Sequence, residues 1–183
     1  MRSLYWIIVA AVLGISVHMG AVLLAPGYLF DRNLNLLARD VPDNTFFILP
    51  RAAQRKIFPD YPSGTVFGLC RFNLAAGPIL LDASLPNGLW TLTVYSQFGK
   101  TLYTVTDEQS GIDQFSLKLA RAPSLFDVFS LKDDDGQIES SGWQVQSPDN
   151  RGFALFWVPA PDQAMRESLV ETLGKSSCGQ AAT

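Results

Sequence analysis

The spacing of apolar and polar positions divides this chain into stretches of different character. Leu4 to Leu24 holds no Asp, Glu, Lys or Arg. Wound as a helix at about 1.5 Å per residue, it would run about 30 Å, one hydrocarbon thickness. Tyr5 and Trp6 stand at one end, where amphipathic rings favour the headgroup level, and Pro26-Gly27 ends the run. A cleaved signal peptide is the rival reading. It asks for a basic start, a shorter apolar core and a small-x-small cleavage site. Here only Arg2 and the amino terminus are basic, and the site before Pro26 has the large Leu23 at its −3 position. Residues 1–27 therefore read as a cytoplasmic stub and an uncleaved transmembrane anchor, touching membrane lipid through residues 4–24. An apolar N-terminal segment followed by a long domain usually exports that domain, although Arg32 balances Arg2 across the span. Within the anchor, Ala10, Gly14, His18, Ala21 and Ala25 recur at helical spacing and form one narrow stripe. Small side chains let helix backbones approach in lipid. The stripe predicts packing against another transmembrane helix, from a second copy or a different subunit.

Residues 28–64 read as a stalk or short interfacial helix, Tyr28 to Ala38, and an irregular lead-in with one helix over Arg51 to Ile57. The period then changes to two. Trp90, Leu92 and Val94 alternate with Thr91, Thr93 and Tyr95, and Phe115, Leu117 and Leu119 alternate with Ser116 and Lys118. Val66–Leu74 alternates likewise. These are half-buried strands. Pro78–Ser84, Thr101–Thr106, Leu125–Leu131 and Gly152–Val158 are rich in strand formers, and Phe153 to Val158 is apolar on both faces, as a central strand would be. Turn signals such as Asn87-Gly88, Gly99 and Asp135-Gly136 separate them. The pattern predicts a mainly β domain over residues 65–174: an antiparallel β-sandwich or barrel-like domain. One C-terminal helix closes it, opened by Pro161-Asp162, striped with Met165, Leu169, Val170 and Leu173, and stopped by Gly174. Residues 175–183 read as a disordered tail except at Cys178.

Composition removes several function classes. Charged residues are 17% of the 183, below the roughly 25% of soluble domains. The net charge of −3 gives no chain-wide basic footprint for nucleic acid. His18 is the one histidine and lies in the apolar span, so a Ser-His-Asp or Cys-His site inside the exported domain cannot form. Two cysteines exclude a Cys₄ zinc site. Asp133-Asp134-Asp135-Gly136 lacks the alternate acidic positions of a calcium loop and reads as a solvated turn. No Gly-rich phosphate loop joins a strand to a helix. No cofactor, metal site or catalytic residue is expected. Scattered carboxylates at Asp82, Asp107, Glu108 and Asp113 read as surface charge; a hydrolase would need two of them facing each other. Trp90, Tyr95, Tyr103 and Trp157 are candidates to line an apolar pocket, against the plainer reading as core. An oxidising exported side favours a Cys70–Cys178 disulfide. The loop of about 100 residues that it closes is worth roughly 4 to 5 kcal/mol through the unfolded state. The rival is a buried Cys70 thiol with Cys178 bonded to a partner chain.

Asp60-Tyr61-Pro62, then Cys70-Arg71-Phe72-Asn73-Leu74 with Gly77-Pro78, then Trp90 to Tyr95 with Gly99 and Tyr103, resemble one family. It is the short, membrane-anchored bacterial proteins related to the domains of unknown function 1254 and 1214. The resemblance covers the anchor and roughly residues 59–158. Asn73 stands where the family often has Asp. The resemblance implies a β-rich periplasmic domain on an inner-membrane anchor, and no established reaction.

Three functions follow as expectations. The first is a non-enzymatic binding or assembly module in an envelope complex, with another membrane or envelope protein as partner. The second is a carrier or sensor of a small apolar ligand held in the β-domain. The third, and weakest, is an envelope hydrolase using carboxylates.

Overall fold

A computed structural model describes residues 2–57, 61–62, 64–110, 114–123 and 143–181. Helix α1, Arg2–Leu37, is longer than the apolar run predicted. It passes through Pro26 and absorbs the segment read as a stalk. Proline lacks an N–H and removes one helical bond, but the turns beyond it are held from outside, because Phe30 docks on the β-domain. From Arg2 to Asn33 the helix is long and apolar enough to cross a membrane, with a mean hydropathy of 2.5, and none of its most apolar window is buried by the rest of the chain.

The domain that follows is two stacked sheets, a sandwich and not a closed barrel. Its strands are β1 Phe46–Ile48, β2 Thr65–Asn73, β3 Ile79–Ser84, β4 Thr91–Ser96, β5 Thr101–Thr106, β6 Gln114–Arg121, β7 Trp143–Ser147, β8 Arg151–Pro159 and β9 Ser177–Gln180. Short helices α2, Arg51–Ile57, and α3, Asp107–Ser110, and the longer α4, Gln163–Leu173, complete it. One sheet has the order β1-β2-β8-β4-β5 and the other β7-β6-β3-β9. β8 takes the central place its two apolar faces require. All pairs are antiparallel except β6 and β7, which run parallel from Leu117↔Trp143 to Arg121↔Ser147. The strand expected at Leu125–Leu131 and the turn at Asp133–Gly136 lie outside the described residues, as does Asp113.

Alternation decides the core. Leu92 and Val94 from β4, Ala154, Phe156 and Val158 from β8, Ile79 and Leu81 from β3, and Phe115, Leu117 and Leu119 from β6 fill the space between the sheets. Gly152 lets β8 pass close to its neighbours, since a Cβ there would overlap the Phe72 ring and the Tyr95 carbonyl oxygen.

Two boundaries differ from the sequence reading. The lead-in is part of the domain: β1 pairs with β2, and Gln54 of α2 is buried, donating to the Thr65 carbonyl at 3.1 Å. The tail is ordered at β9, which pairs with β3 from Ile79↔Gln180 to Asp82↔Ser177. Cys70 on β2 and Cys178 on β9 are disulfide-bonded, with Cα atoms 6.4 Å apart. The bond joins one sheet to the other, as the internal pairing predicted.

In α4 the Asp162 carboxylate accepts from the Met165 N–H at 2.8 Å, capping the helix. Of the predicted stripe only Leu169 and Leu173 are buried; Met165 and Val170 remain exposed. Arg166 takes their place against the domain, donating to the Thr65 carbonyl. Burial, and then the nearby Arg51 charge, lower the Arg166 pKa.

Candidate functional site

The outer face of the five-stranded sheet is apolar at its centre, which a face open to water would not be. Phe67 pairs with Trp157, Leu69 with Leu155, and Arg71 with Phe153 across β2 and β8. Tyr95 lies opposite Phe153 on β4. Towards β5 the same face turns polar, with Thr91, Thr93, Thr104 and Thr106. The apolar half is covered by pieces from the N-terminal side. Leu49 is buried on Phe67, Leu69 and Phe153, and Phe47, Ala53 and Phe30 pack around them. The Phe30 ring is 5.7 Å from that of Tyr95 and meets Phe153 edge-on at 6.3 Å. Tyr61 stands edge-on to Phe67 at 5.2 Å.

This cover is incomplete. Between the end of α1 and α2 it leaves a cleft of about 240 Å³, walled by Phe30, Asn33, Ile57 and Tyr61 and floored by Leu69, Tyr95, Phe153 and Leu155. Among the described residues, its polar side chains are the Asn33 amide and the phenols of Tyr61 and Tyr95. Burial raises the Tyr95 pKa, a hydrogen bond with Thr93 opposes the shift, and the nearness of Tyr61 adds to it. Tyr95 is therefore a neutral phenol at physiological pH, able both to donate and to accept a hydrogen bond. Apolar walls with a few convergent polar groups are the usual form of a binding site.

Two larger depressions lie elsewhere. One, of about 800 Å³, runs between α2 and the start of α4. Several of its polar groups already serve the fold. Arg51 donates to Gln163 at 2.5 Å, Gln54 bonds Thr65, and Asp162 caps α4. The other, of about 940 Å³, lies along α4 and the turn Leu85–Leu89, at the end of the sandwich away from α1.

The four aromatics proposed as one pocket fall into two groups. Trp90 is buried between the sheets against Phe115, at 6.1 Å. Tyr103 reaches the same aromatic row through Trp143, at 5.9 Å. Tyr95 and Trp157 are on the outer face, and only Tyr95 lines the cleft. Trp157 instead packs beside Tyr61, at 6.5 Å. Phe30, Asn33, Ile57, Leu69, Phe153 and Leu155 were not anticipated as site residues. Their one sequence signal is the doubly apolar run of β8.

Among the described residues, the candidate carboxylates are split between the two sheets. Asp82 is exposed on β3 and accepts from Ser116 at 2.7 Å, whereas Asp107 follows β5 in the other sheet. Among the described residues, no three His, Cys, Asp or Glu side chains come together to hold a metal. On α1, a Cβ at Gly14 would meet nothing within 4 Å. His18, Ala10 and Ala21 are exposed beside it, so the stripe meets no partner among the described residues.

The block Cys70 to Asn73 has structural duties. Cys70 holds the disulfide and Phe72 is core. Arg71 pairs with Asp43 and donates to the Val41 carbonyl at 3.1 Å. The Asn73 amide donates to Asp43 at 3.2 Å and its oxygen accepts from Ala75 N–H at 3.1 Å. An aspartate at 73 would set its carboxylate against Asp43, which explains why an amide fits here. Asn44, in the left-handed region at φ 57°, completes the tie by accepting from Asn73 N–H at 2.7 Å.

No family model matches the chain, and no curated protein matches it. Among solved structures, it is similar to the VPA0106 protein of Vibrio parahaemolyticus, with a TM-score of 0.59 and 14% identity over 85% of this chain and 36% of that one. An uncharacterized protein from Burkholderia cenocepacia matches with a TM-score of 0.47 and 9% identity, over 68% of this chain and 34% of that one. The chain thus spans about a third of the length of the structures it matches. The first likeness shows the fold alone: a two-sheet β-domain, carried here behind a long apolar helix.

Proposed function

We propose that this protein is a single-pass, inner-membrane-anchored periplasmic module that binds another envelope protein and catalyses nothing. The observation that carries this reading is the cleft where α1 meets the apolar outer face of the sheet. Its volume of about 240 Å³ lies below the roughly 300 to 1,000 Å³ of small-molecule sites. It suits one large apolar side chain of a partner, the kind of anchor that carries most of an interface's energy. The inter-sheet disulfide supports an oxidising compartment, and the resemblance to the anchored families related to domains 1254 and 1214 supports the same placement. The small-residue stripe Ala10–Gly14–His18–Ala21 offers the partner's membrane helix a second contact.

Purification of the full chain from membranes in mild detergent tests the proposal. The wild type should bring one defined partner. Asn33→Trp, which fills the mouth of the cleft from an exposed helix position, should lose it, and Gly14→Leu should weaken recovery. A wild-type protein that runs as a lone monomer would overturn the reading.

A small apolar ligand is the second reading, favoured by the same cleft and not by the space between the sheets, which core side chains fill. Lipid extraction of the purified protein, followed by mass spectrometry, separates the two: a stoichiometric small molecule without a protein partner would favour the ligand.

A further inference from the structure

The turn between β4 and β5 is built rigidly and yet ends in an exposed aromatic ring. Ser96, 2% exposed, anchors it. Its hydroxyl accepts from the N–H groups of Phe98 and Lys100 at 3.3 and 3.2 Å. Its backbone N–H donates to the Lys100 carbonyl at 2.8 Å, and its carbonyl accepts from Gly99 at 3.1 Å. Gly99 has φ 81°, a conformation that glycine adopts without strain. The Phe98 side chain at the tip is 60% exposed. Water does not favour that placement; another phase would.

The turn also touches α1 at a definable height. A Cβ on Gly27 would lie 3.3 Å from Phe98 Cβ, and a Cβ on Gly99 would lie 2.9 Å from the Phe30 ring. The uncharged run of α1 continues to Phe30, and Asp31 is the first charge after it, a group that stays out of the hydrocarbon. Gly27 is four residues before Asp31, about 6 Å along the axis. The headgroup layer on each side of the hydrocarbon is about 5 to 8 Å deep. Gly27 therefore stands at headgroup level when α1 spans a bilayer, and the turn packed against it stands there too.

We propose that the β4–β5 turn is a second membrane contact of this protein. Phe98 places its ring in the headgroup layer of the leaflet from which α1 emerges, and exposed Lys100 meets lipid phosphate beside it. The occupant is the lipid surface itself, identified by continuity with the span. Anchor and foot together fix the tilt of the sandwich on the membrane, which a single helix followed by a free stalk would leave undefined. The inference rests on α1 crossing a bilayer and makes no use of the cleft.

The test uses the full chain with its disulfide intact, in vesicles of phosphatidylethanolamine and phosphatidylglycerol. Phe98→Cys, Lys100→Cys, Leu13→Cys and Asn87→Cys are each labelled with a nitroxide. Collision with oxygen and with a water-soluble nickel chelate then gives the depth of each label. Asn87 lies beyond the other end of β4, about 20 Å away along the strand. Labels at 98 and 100 should show a several-fold loss of nickel access relative to 87, and the label at 13 should lie in the hydrocarbon. A deep label at 13 with water-exposed labels at both 98 and 100 would overturn the foot alone. A water-exposed label at 13 would overturn the span and the foot together. The label at exposed Lys100 keeps the test valid if substitution of Phe98 disturbs the turn.

Discussion

Breaking the Cys70–Cys178 bond should cost this domain a large share of its stability. The bond links residues 108 apart in sequence, and a loop of about 100 residues is worth about 4.7 kcal/mol through the unfolded chain. Whole domains are stable by about 5 to 15 kcal/mol, so the reduced protein should be marginal. β9 would suffer first. It is a four-residue edge strand, paired on one side only with β3. Its flanks are tied by Ser84 N–H donating to Ser176 Oγ and by Ala181 N–H donating to the Pro78 carbonyl, each at 3.1 Å, and each such bond is worth about 1 kcal/mol net. With a urea slope of about 2 kcal/mol per molar, the midpoint should fall by about 2 M. The assay is urea unfolding of the full chain in mild detergent, followed by tryptophan fluorescence, with and without reductant. Cys178→Ala should unfold near the reduced midpoint and ignore reductant. Coincident oxidised and reduced midpoints would refute the view that the bond constrains the whole sandwich.

Gly152→Ala should destabilise by about 3 kcal/mol, the upper part of the overpacking range, because its methyl has no room beside Phe72 and the Tyr95 carbonyl; a urea midpoint checks it. Asn73→Asp should cost about 1 to 3 kcal/mol at neutral pH, through a lost donor and a carboxylate facing Asp43. That deficit should shrink as pH falls through the carboxylate range, read by thermal melts from pH 7 to about 4. Tyr95 holds its proton more tightly folded than unfolded. Its contribution is thus complete below the ordinary tyrosine value near 10 and is lost as pH rises through the raised folded value. Tyr95→Phe should flatten that alkaline loss in melts above pH 9; an identical slope in both proteins would contradict the burial of the phenol.

The strands with one wet face were legible because period two survives any tertiary detail. Leu92 and Val94 against Thr91, Thr93 and Tyr95 sort in the structure as they do on paper. The same alternation sets Trp90 and Tyr95 on opposite faces, so a single pocket holding both contradicts the strand's own pattern. Other features depend on partners distant in sequence. α1 continues past Pro26 because Phe30 finds Tyr95 and Phe153, and nothing local announces that docking. β9 is Ser-Cys-Gly-Gln, with no hydrophobic period, and only Cys178 marks its attachment. The doubly apolar β8 shows that both faces of the sheet are covered, but not that α1 and α2 cover the outer face and leave a cleft between them.

Site-specific photocrosslinking in living cells tests the binding role most directly. A photoreactive residue at Asn33, exposed at the mouth of the cleft, is compared with one at Asn87 at the far end of the sandwich. The account predicts one discrete protein adduct from Asn33 and none of that identity from Asn87. Adducts to lipid alone at Asn33, or the same adducts from both positions, would contradict it.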